Sequence, residues 1–388
     1  MSKIQQPKTT NVLTSPEPDT KIHPVWEYTE EQQAQIKDLR EVRVCSSPFA
    51  LSSFLRRVFA PKYAASITLP ESDPYYIWEQ RFLNKAETIP RYMRAAKWKM
   101  PDAQKRIKGT LEWRREYKPD LIPPDDVKIE AETGKIILTG FDNDGRPIIY
   151  MRPGNENTER SPRQLRHLVW WLERAKDFQP HGQESIVIIV DYKTTTLRTN
   201  PSVSVASKVL TILQQHYVET LGRAIVTNLP FLLNFFYKGI SPFLDPVTRD
   251  KMRFNPDLVE LIPSSQLDAE FGGEYNFEYD FETYWKQIVD FCGIAPDGTR
   301  LPGYFDGPKR GSQPVSEPEA ANAEEPSPIP QEENENDSGI ATANGSPAPS
   351  SATASVESAE SGIPEAKAAP DVEEAPVVAG AAVAVVVA

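Results

Sequence analysis

Two stretches of the chain are apolar almost without a break: "ESIVIIVDY", residues 184–192, and "RAIVTNLP", residues 223–230. A strand with one wet face alternates apolar and polar residues, so an unbroken run predicts a strand covered on both faces. Between them, "PSVSVASKVLTILQQHYVETL" has the spacing of a helix. Strand, helix, strand in that order predicts a βαβ unit with parallel strands. Upstream, "GKIILTG" and "RPIIYM" are short β-rich runs joined by "FDNDG". Asn, Asp and Gly tolerate the positive φ of a tight turn, so a hairpin is expected there. "SPRQLRHLVWWLERAKDF" predicts a helix with Ser161 at its cap and Pro162 in its first turn. Trp170 and Trp171 are expected to pack that helix rather than face a membrane.

The first part of the chain reads differently. Residues 1–25 are polar and proline-containing, and a disordered leader is expected there. Residues 26–120 predict a helical module with "PYYIWEQRFLNKA", "TIPRYMRAAKWK" and "PDAQKRIKGTLEWRREY" as its clearest helices. In the last of these Ile107, Leu111 and Trp113 supply the apolar positions. Residues 121–295 form the α/β lobe. Residues 306–388 are rich in Pro, Ala, Ser and Glu, and predict a disordered acidic tail ending in a short apolar run.

Charge sharpens that division. The net charge is −12, yet from Asp306 onward there are 15 acidic and 3 basic residues, so the first 305 residues carry 40 of each sign. A neutral body lacks the basic face that nucleic acid requires. The two cysteines, Cys45 and Cys292, make neither a disulfide framework nor a metal spacing, which points to a reducing compartment. No apolar run approaches the ~20 residues that span a bilayer. A cytoplasmic protein that visits membranes transiently is expected. Nucleophile-elbow, P-loop, zincin and dinucleotide motifs are absent, and the four histidines lack ligand spacing. The reading is therefore not an enzyme, with no catalytic residue, no metal and no cofactor.

One segment remains. "LPFLLNFFYKGI" is apolar all round, and "SPFLDPVTRDKMRF" follows it with a proline corner and then Thr248, Arg249, Lys251 and Arg253. An ordinary core helix fits the first segment as well as a cover over an apolar cavity does. With "RYMRAAKWKMPDAQKRIKGTLEWRREY", "DNDGRPIIYMRPG" and "LDAEFGGEYNFEYD" in the same order, the chain resembles the CRAL-TRIO (Sec14-like) phosphatidylinositol transfer proteins of fungal type. The resemblance runs from about residue 75 to 292.

That resemblance implies an α/β lipid-binding lobe: a mixed β-sheet floor roofed by a helical gate, preceded by the helical module and followed by the tail. Phe231, Leu232, Phe235, Phe236 and Gly239 would form the gate and its hinge. Glu219, Thr248 and Lys251 match the residues that hold the inositol phosphate. Ala96 stands where many members carry an arginine, leaving Arg94 or Lys97 to replace it. The positions that hold phosphatidylcholine in some members are here Leu138, Ile149, Ile186 and Ile188, all apolar. Loss of phosphatidylcholine is expected, with a sterol as the second ligand. A register one residue off would turn Tyr150 or Ser185 to that face instead.

The expected function is exchange of phosphatidylinositol and a sterol between membranes by a monomer, with bound lipid in place of a cofactor. Endoplasmic reticulum, lipid droplets or the cell periphery are the membranes expected, and lipid kinases are the partners such presentation would serve. The competing reading is a lipid-sensing scaffold whose tail binds partners, without net transfer.

Overall fold

The computed structural model describes residues 7–40, 67–196, 198–199, 203–228 and 251–308. The helical module contains α1 (Glu30–Arg40), α2 (Tyr76–Asn84), α3 (Thr88–Ala95) and α4 (Met100–Tyr117). Pro101 sits in the first turn of α4, where its missing N–H costs nothing, and Lys118 closes the helix with φ 51°. Ala103, Ile107 and Leu111 recur every four residues and point into one core with Leu39, Phe82 and Met93. Trp113 stays half-buried and stacks on His216, ring centres 4.4 Å apart.

After α5 (Pro124–Ala131), the lobe runs β1 (Ile136–Phe141), β2 (Pro147–Met151), α6 (Pro162–Phe178), β3 (Ile186–Asp191), α7 (Val203–His216), β4 (Leu221–Thr227), β5 (Met252–Phe254) and α8 (Phe281–Cys292). The sheet order is β1-β2-β3-β4-β5. β1 and β2 pair antiparallel, and the remaining pairs are parallel. The hairpin is tied by Asp142, whose Oδ1 accepts from the backbone N–H of Asp144 at 3.0 Å and of Arg146 at 2.8 Å. Gly145 takes φ 75° there, a conformation that favours glycine.

The unbroken apolar strands are explained by what lies on each side. Right-handed crossovers put α6 and α7 on one face. The opposite face receives the 262–277 segment: Phe271 stacks on Tyr150 at 5.4 Å, and Tyr275 Oη meets Thr139 Oγ1 at 3.1 Å. Trp170 and Trp171 are fully buried, and Trp170 stacks on Trp285 of α8 at 4.7 Å. Ser161 does occupy the N-cap of α6, but its side chain makes no cap bond.

Two boundaries differ from the sequence reading. Residues 7–25 are not a loose leader. Thr9 N–H donates to Asn276 O at 3.0 Å, and Leu13 N–H donates to Thr139 Oγ1 at 3.0 Å. Val12 N–H reaches Gln287 Oε1 at 2.9 Å. Composition judges a segment by its apolar burial; this one is held by its main chain. At the other end the body continues past 295, where Arg300 Nη2 meets Asp177 Oδ2 at 2.7 Å and Phe305 lies 5.3 Å from Trp78, ring centre to ring centre. The tail from residue 309 onward, Cys45 and the gate residues lie outside the described residues.

A buried ion network joins the helical module to α6. Arg114 pairs with Asp120 at 2.6 Å and with Glu173 at 3.1 Å. Tyr75 donates to Asp120 at 2.5 Å, and Tyr217 donates to Glu173 at 2.8 Å. Each buried charge thus has a counter-charge and further hydrogen bonds, which is what makes its burial tolerable.

Candidate functional site

The parallel strands β2 to β5 all start at one end of the sheet, and polar groups gather just before them: Arg146 before β2, Glu184 before β3, Glu219 before β4 and Lys251 before β5. Arg94, in the last turn of α3, completes the cluster. Its Nε donates to Glu219 Oε2 at 2.7 Å and its Nη2 to Glu184 Oε2 at 2.5 Å. Its Nη1 donates to Tyr28 Oη, and its guanidinium lies over the Trp26 ring, 3.9 Å from the centre.

These neighbours set the charges. Burial alone would pull the Arg94 guanidinium down, but Glu184 and Glu219 outweigh it and hold it above its ordinary value. Burial pushes the Glu184 carboxyl up despite Arg94. The Lys251 ammonium is depressed, by burial first; Glu219 opposes this, while Arg146 and Arg94 add to it. A dianionic or monoanionic phosphate placed among Lys251, Arg146 and Arg94 would relieve that crowding of like charge.

Glu219 itself adopts φ 53° in the turn that links α7 to β4. A non-glycine residue there is uncommon and costs roughly 1 kcal/mol. The turn aims its carboxylate at Arg94 rather than along the strand. Arg146 is held by Asp142 at 3.0 Å, Asp144 at 2.5 Å and Ser185 Oγ at 3.0 Å. Arg223 approaches the same two aspartates at 3.2 and 3.5 Å.

Beside this polar end lies an apolar floor. The register aligns Leu138 with Ile149, Ile149 with Ile188, Ile188 with Ala224, and Ala224 with Met252. Residues directly paired across strands share a face, and Ile186 lies two residues before Ile188 on the same side. Leu138, Ile149, Ile186 and Ile188 are therefore neighbours on the face that α6 and α7 cover, all buried. Tyr150 points to the opposite face, against Phe271, and Ser185 is tied to Arg146 and Gln183 before the strand starts.

Glu219 lies within electrostatic reach of Lys251, and Arg94, which the sequence offered only as a substitute for Ala96, bonds to Glu219. Ala96 is buried and offers no polar group, and Lys97 is exposed. Thr248 and the gate residues Phe231, Leu232, Phe235, Phe236 and Gly239 lie outside the described residues. Sequence reasoning missed Glu184, Trp26 and Tyr28. Two aromatics at the very start of the helical module, just after the polar leader, were the available signal. Among the described residues no group of His, Cys, Asp and Glu could hold a metal ion, and no helix is long and apolar enough to cross a membrane.

The family model described as the CRAL/TRIO domain matches residues 131–273. A CRAL-TRIO domain-containing protein of Schizosaccharomyces pombe is 48% identical over 206 residues, which are 53% of this chain and 20% of that protein. Phosphatidylinositol transfer protein PDR17 of Saccharomyces cerevisiae is 39% identical over 228 residues, 56% of this chain and 65% of that protein. The SEC14 cytosolic factor of Candida glabrata is 28% identical over 211 residues, 48% of this chain and 70% of that protein. The matched regions thus span less than two thirds of the first two relatives.

Proposed function

We propose, from the match of residues 131–273 to the CRAL/TRIO domain model and the likeness to fungal phosphatidylinositol transfer proteins, that the chain binds phosphatidylinositol and exchanges it for a second, more apolar lipid, a sterol, between membranes. The observation that carries this reading is a juxtaposition. A cluster of Lys251, Arg94 and Glu219 lies at the start of strands whose covered face bears only apolar side chains at four neighbouring positions.

A phospholipid asks for both halves of that arrangement. Moving its chains into water costs ~0.8 kcal/mol per CH₂, so a carrier must offer an apolar interior of its own. Its phosphate must be met by cations, because a buried unpaired charge is costly. Lys251 and Arg94 would meet the phosphate; Glu219 would accept from inositol hydroxyls while orienting both cations. A phosphocholine head among Leu138, Ile149, Ile186 and Ile188 would find no partner, and each lost polar contact costs roughly 1–3 kcal/mol.

On this reading the protein makes and breaks no covalent bond and needs no cofactor beyond the lipid itself. It works at a membrane surface, and phosphatidylinositol presented in this way would be open to lipid kinases. The test is transfer of labelled lipids between vesicles. Glu219→Ala and Lys251→Ala should abolish phosphatidylinositol transfer and spare sterol binding. Equal loss of both lipids would mean that the substitutions unfold the lobe, and binding without net transfer would favour a sensing scaffold.

A further inference from the structure

The start of α4 carries charge that the fold itself does not use. Lys97 and Lys99 lead into the helix, and Lys105 and Arg106 follow in its second turn. Counting from Lys99, positions 102, 105, 106 and 109 advance by three or four residues, so they share one face of the helix. The stripe runs beside the buried one of Ala103, Ile107 and Leu111, and its cations are all exposed. Together with Lys97 they line a single groove of about 600 Å³, whose lining also takes in Gln215 and His216 at the end of α7.

The groove is one-sided in charge. Four cations face a single acid, Asp102, in a body of 305 residues that carries 40 of each sign. Elsewhere the fold pairs its cations: Arg94 with Glu184 and Glu219, Arg114 with Asp120 and Glu173, Lys135 with Glu130 and Glu156. Even Lys108, on the same helix, meets Glu112 at 3.8 Å. The side chains of Lys97, Lys99, Lys105 and Arg106 make no hydrogen bond or ion pair among the described residues. A Cβ at Gly109 would meet nothing within 4 Å, so no neighbour fills the groove there either.

Length and place say what the groove fits. From Met100 to Gly109 it follows about 14 Å of helix, at 1.5 Å per residue. Cations spread over that length suit a row of phosphates rather than one. A membrane containing anionic lipids presents such a row, and its surface potential attracts each Lys or Arg brought near it. Nucleic acid presents one too, but asks for a broader basic face than this neutral body has. The groove also begins where the charged cluster ends. Lys97 lies three residues after Arg94, and Trp98 meets the ring of Tyr28, which bonds to Arg94, with centres 5.6 Å apart.

We propose that this groove on α4 is a docking surface for membranes that expose anionic phospholipid. The inference rests on the lipid-exchange reading and names the side that the protein turns to the bilayer. Docking there sets the Arg94 end of the charged cluster beside the head-group layer, where a phosphatidylinositol head would enter and leave. Attraction by exposed cations is long-ranged and reversible, which suits a protein that must let go of one membrane to reach another.

The test is co-sedimentation of the full chain with vesicles of phosphatidylcholine alone and of phosphatidylcholine mixed two to one with phosphatidylserine. The wild type should sediment with the second and not with the first, and added salt should release it. Lys99→Gln, Lys105→Gln and Arg106→Gln together should weaken that binding by tenfold to a hundredfold, up to about fivefold for each cation lost. The same triple variant should still transfer labelled phosphatidylinositol between phosphatidylcholine vesicles at the wild-type rate. Asp102→Asn should strengthen binding to the anionic vesicles, a gain that misfolding cannot mimic. Lys108→Gln, whose charge Glu112 already offsets, should change it less than twofold. Wild-type protein that ignores the anionic vesicles or binds both kinds equally overturns the docking surface, and so does a triple variant that binds as the wild type does. Capture of polyglutamate without capture of anionic vesicles also overturns it, in favour of an acidic protein segment. In each of these cases phosphatidylinositol transfer by the wild type leaves the exchange reading standing, and its absence sinks that reading as well.

Discussion

Arg94 Nε donates to Glu219 Oε2 at 2.7 Å, and that bond ties the last turn of α3 to the turn before β4. The helical module is thereby part of the charged cluster and not merely a support beneath it. Arg94→Ala should lower phosphatidylinositol transfer by tenfold or more while sterol binding stays within twofold. A double-mutant cycle with Glu219→Ala should show strong coupling, because the two side chains share one bond. Additive effects would mean that Arg94 and Glu219 act separately.

Trp26 and Tyr28 extend that dependence to the segment just before α1. Trp26 lies 3.9 Å below the Arg94 guanidinium, and Tyr28 accepts a further bond. A cation–π contact of this kind is worth about 0.5–2 kcal/mol. Trp26→Ala with Tyr28→Phe should weaken phosphatidylinositol binding about threefold to thirtyfold, read by titration with vesicles. No change would show that Glu184 and Glu219 alone position the arginine.

The apolar row makes a prediction of gain rather than loss. Leu138→Tyr, Ile149→Tyr, Ile186→Ser and Ile188→Thr together return polar groups to one face. Lipids carried by the purified variant, identified by mass spectrometry after exposure to a mixed extract, should include phosphatidylcholine; those of the wild type should not. Phosphatidylcholine in the wild type would sink the account of the row.

Much of this was legible in the sequence, for physical reasons that differ by element. The strands at 186–190 and 224–226 announce themselves because both faces are covered, and the 141–145 turn because its residues suit positive φ. Glu219 and Lys251 were named as candidates only through a resemblance, since neither pattern nor spacing says that a turn and a distant strand start lie at one end of the sheet. The leader was misread because it is held through its main-chain N–H groups, as from Thr9 to Asn276 O and from Leu13 to Thr139 Oγ1, and such bonds leave no mark on composition. Glu184 opens a predicted strand and carries no signal of its own; its partner Arg94 is delivered by α3.

Arg114 tests how the module is held. It is fully buried between Asp120 and Glu173, which also receive Tyr75 and Tyr217. Removing one partner strands the others, at a cost of about 3–5 kcal/mol. Arg114→Ala should lower the urea midpoint accordingly; a loss below about 1 kcal/mol would show that water replaces the guanidinium.

Asp177 gives the pH dependence. Burial would raise its carboxyl, but Arg300, Arg174 and Arg81 outweigh burial and hold it at about 2, below the ordinary 3.8. A carboxyl depressed on folding stabilises the folded state fully above its unfolded value and loses that stabilisation as pH falls. The window is therefore pH 3.8 down to about 2, and the amount at stake is about 2 kcal/mol. Other carboxylates titrate in the same range, so the comparison is with Asp177→Asn. Urea melts at pH 5 and pH 2.5 should show the wild type losing more stability between the two than the variant does. Parallel losses would mean that Arg300, at 2.7 Å in the folded state, is as close a partner of Asp177 in the unfolded chain.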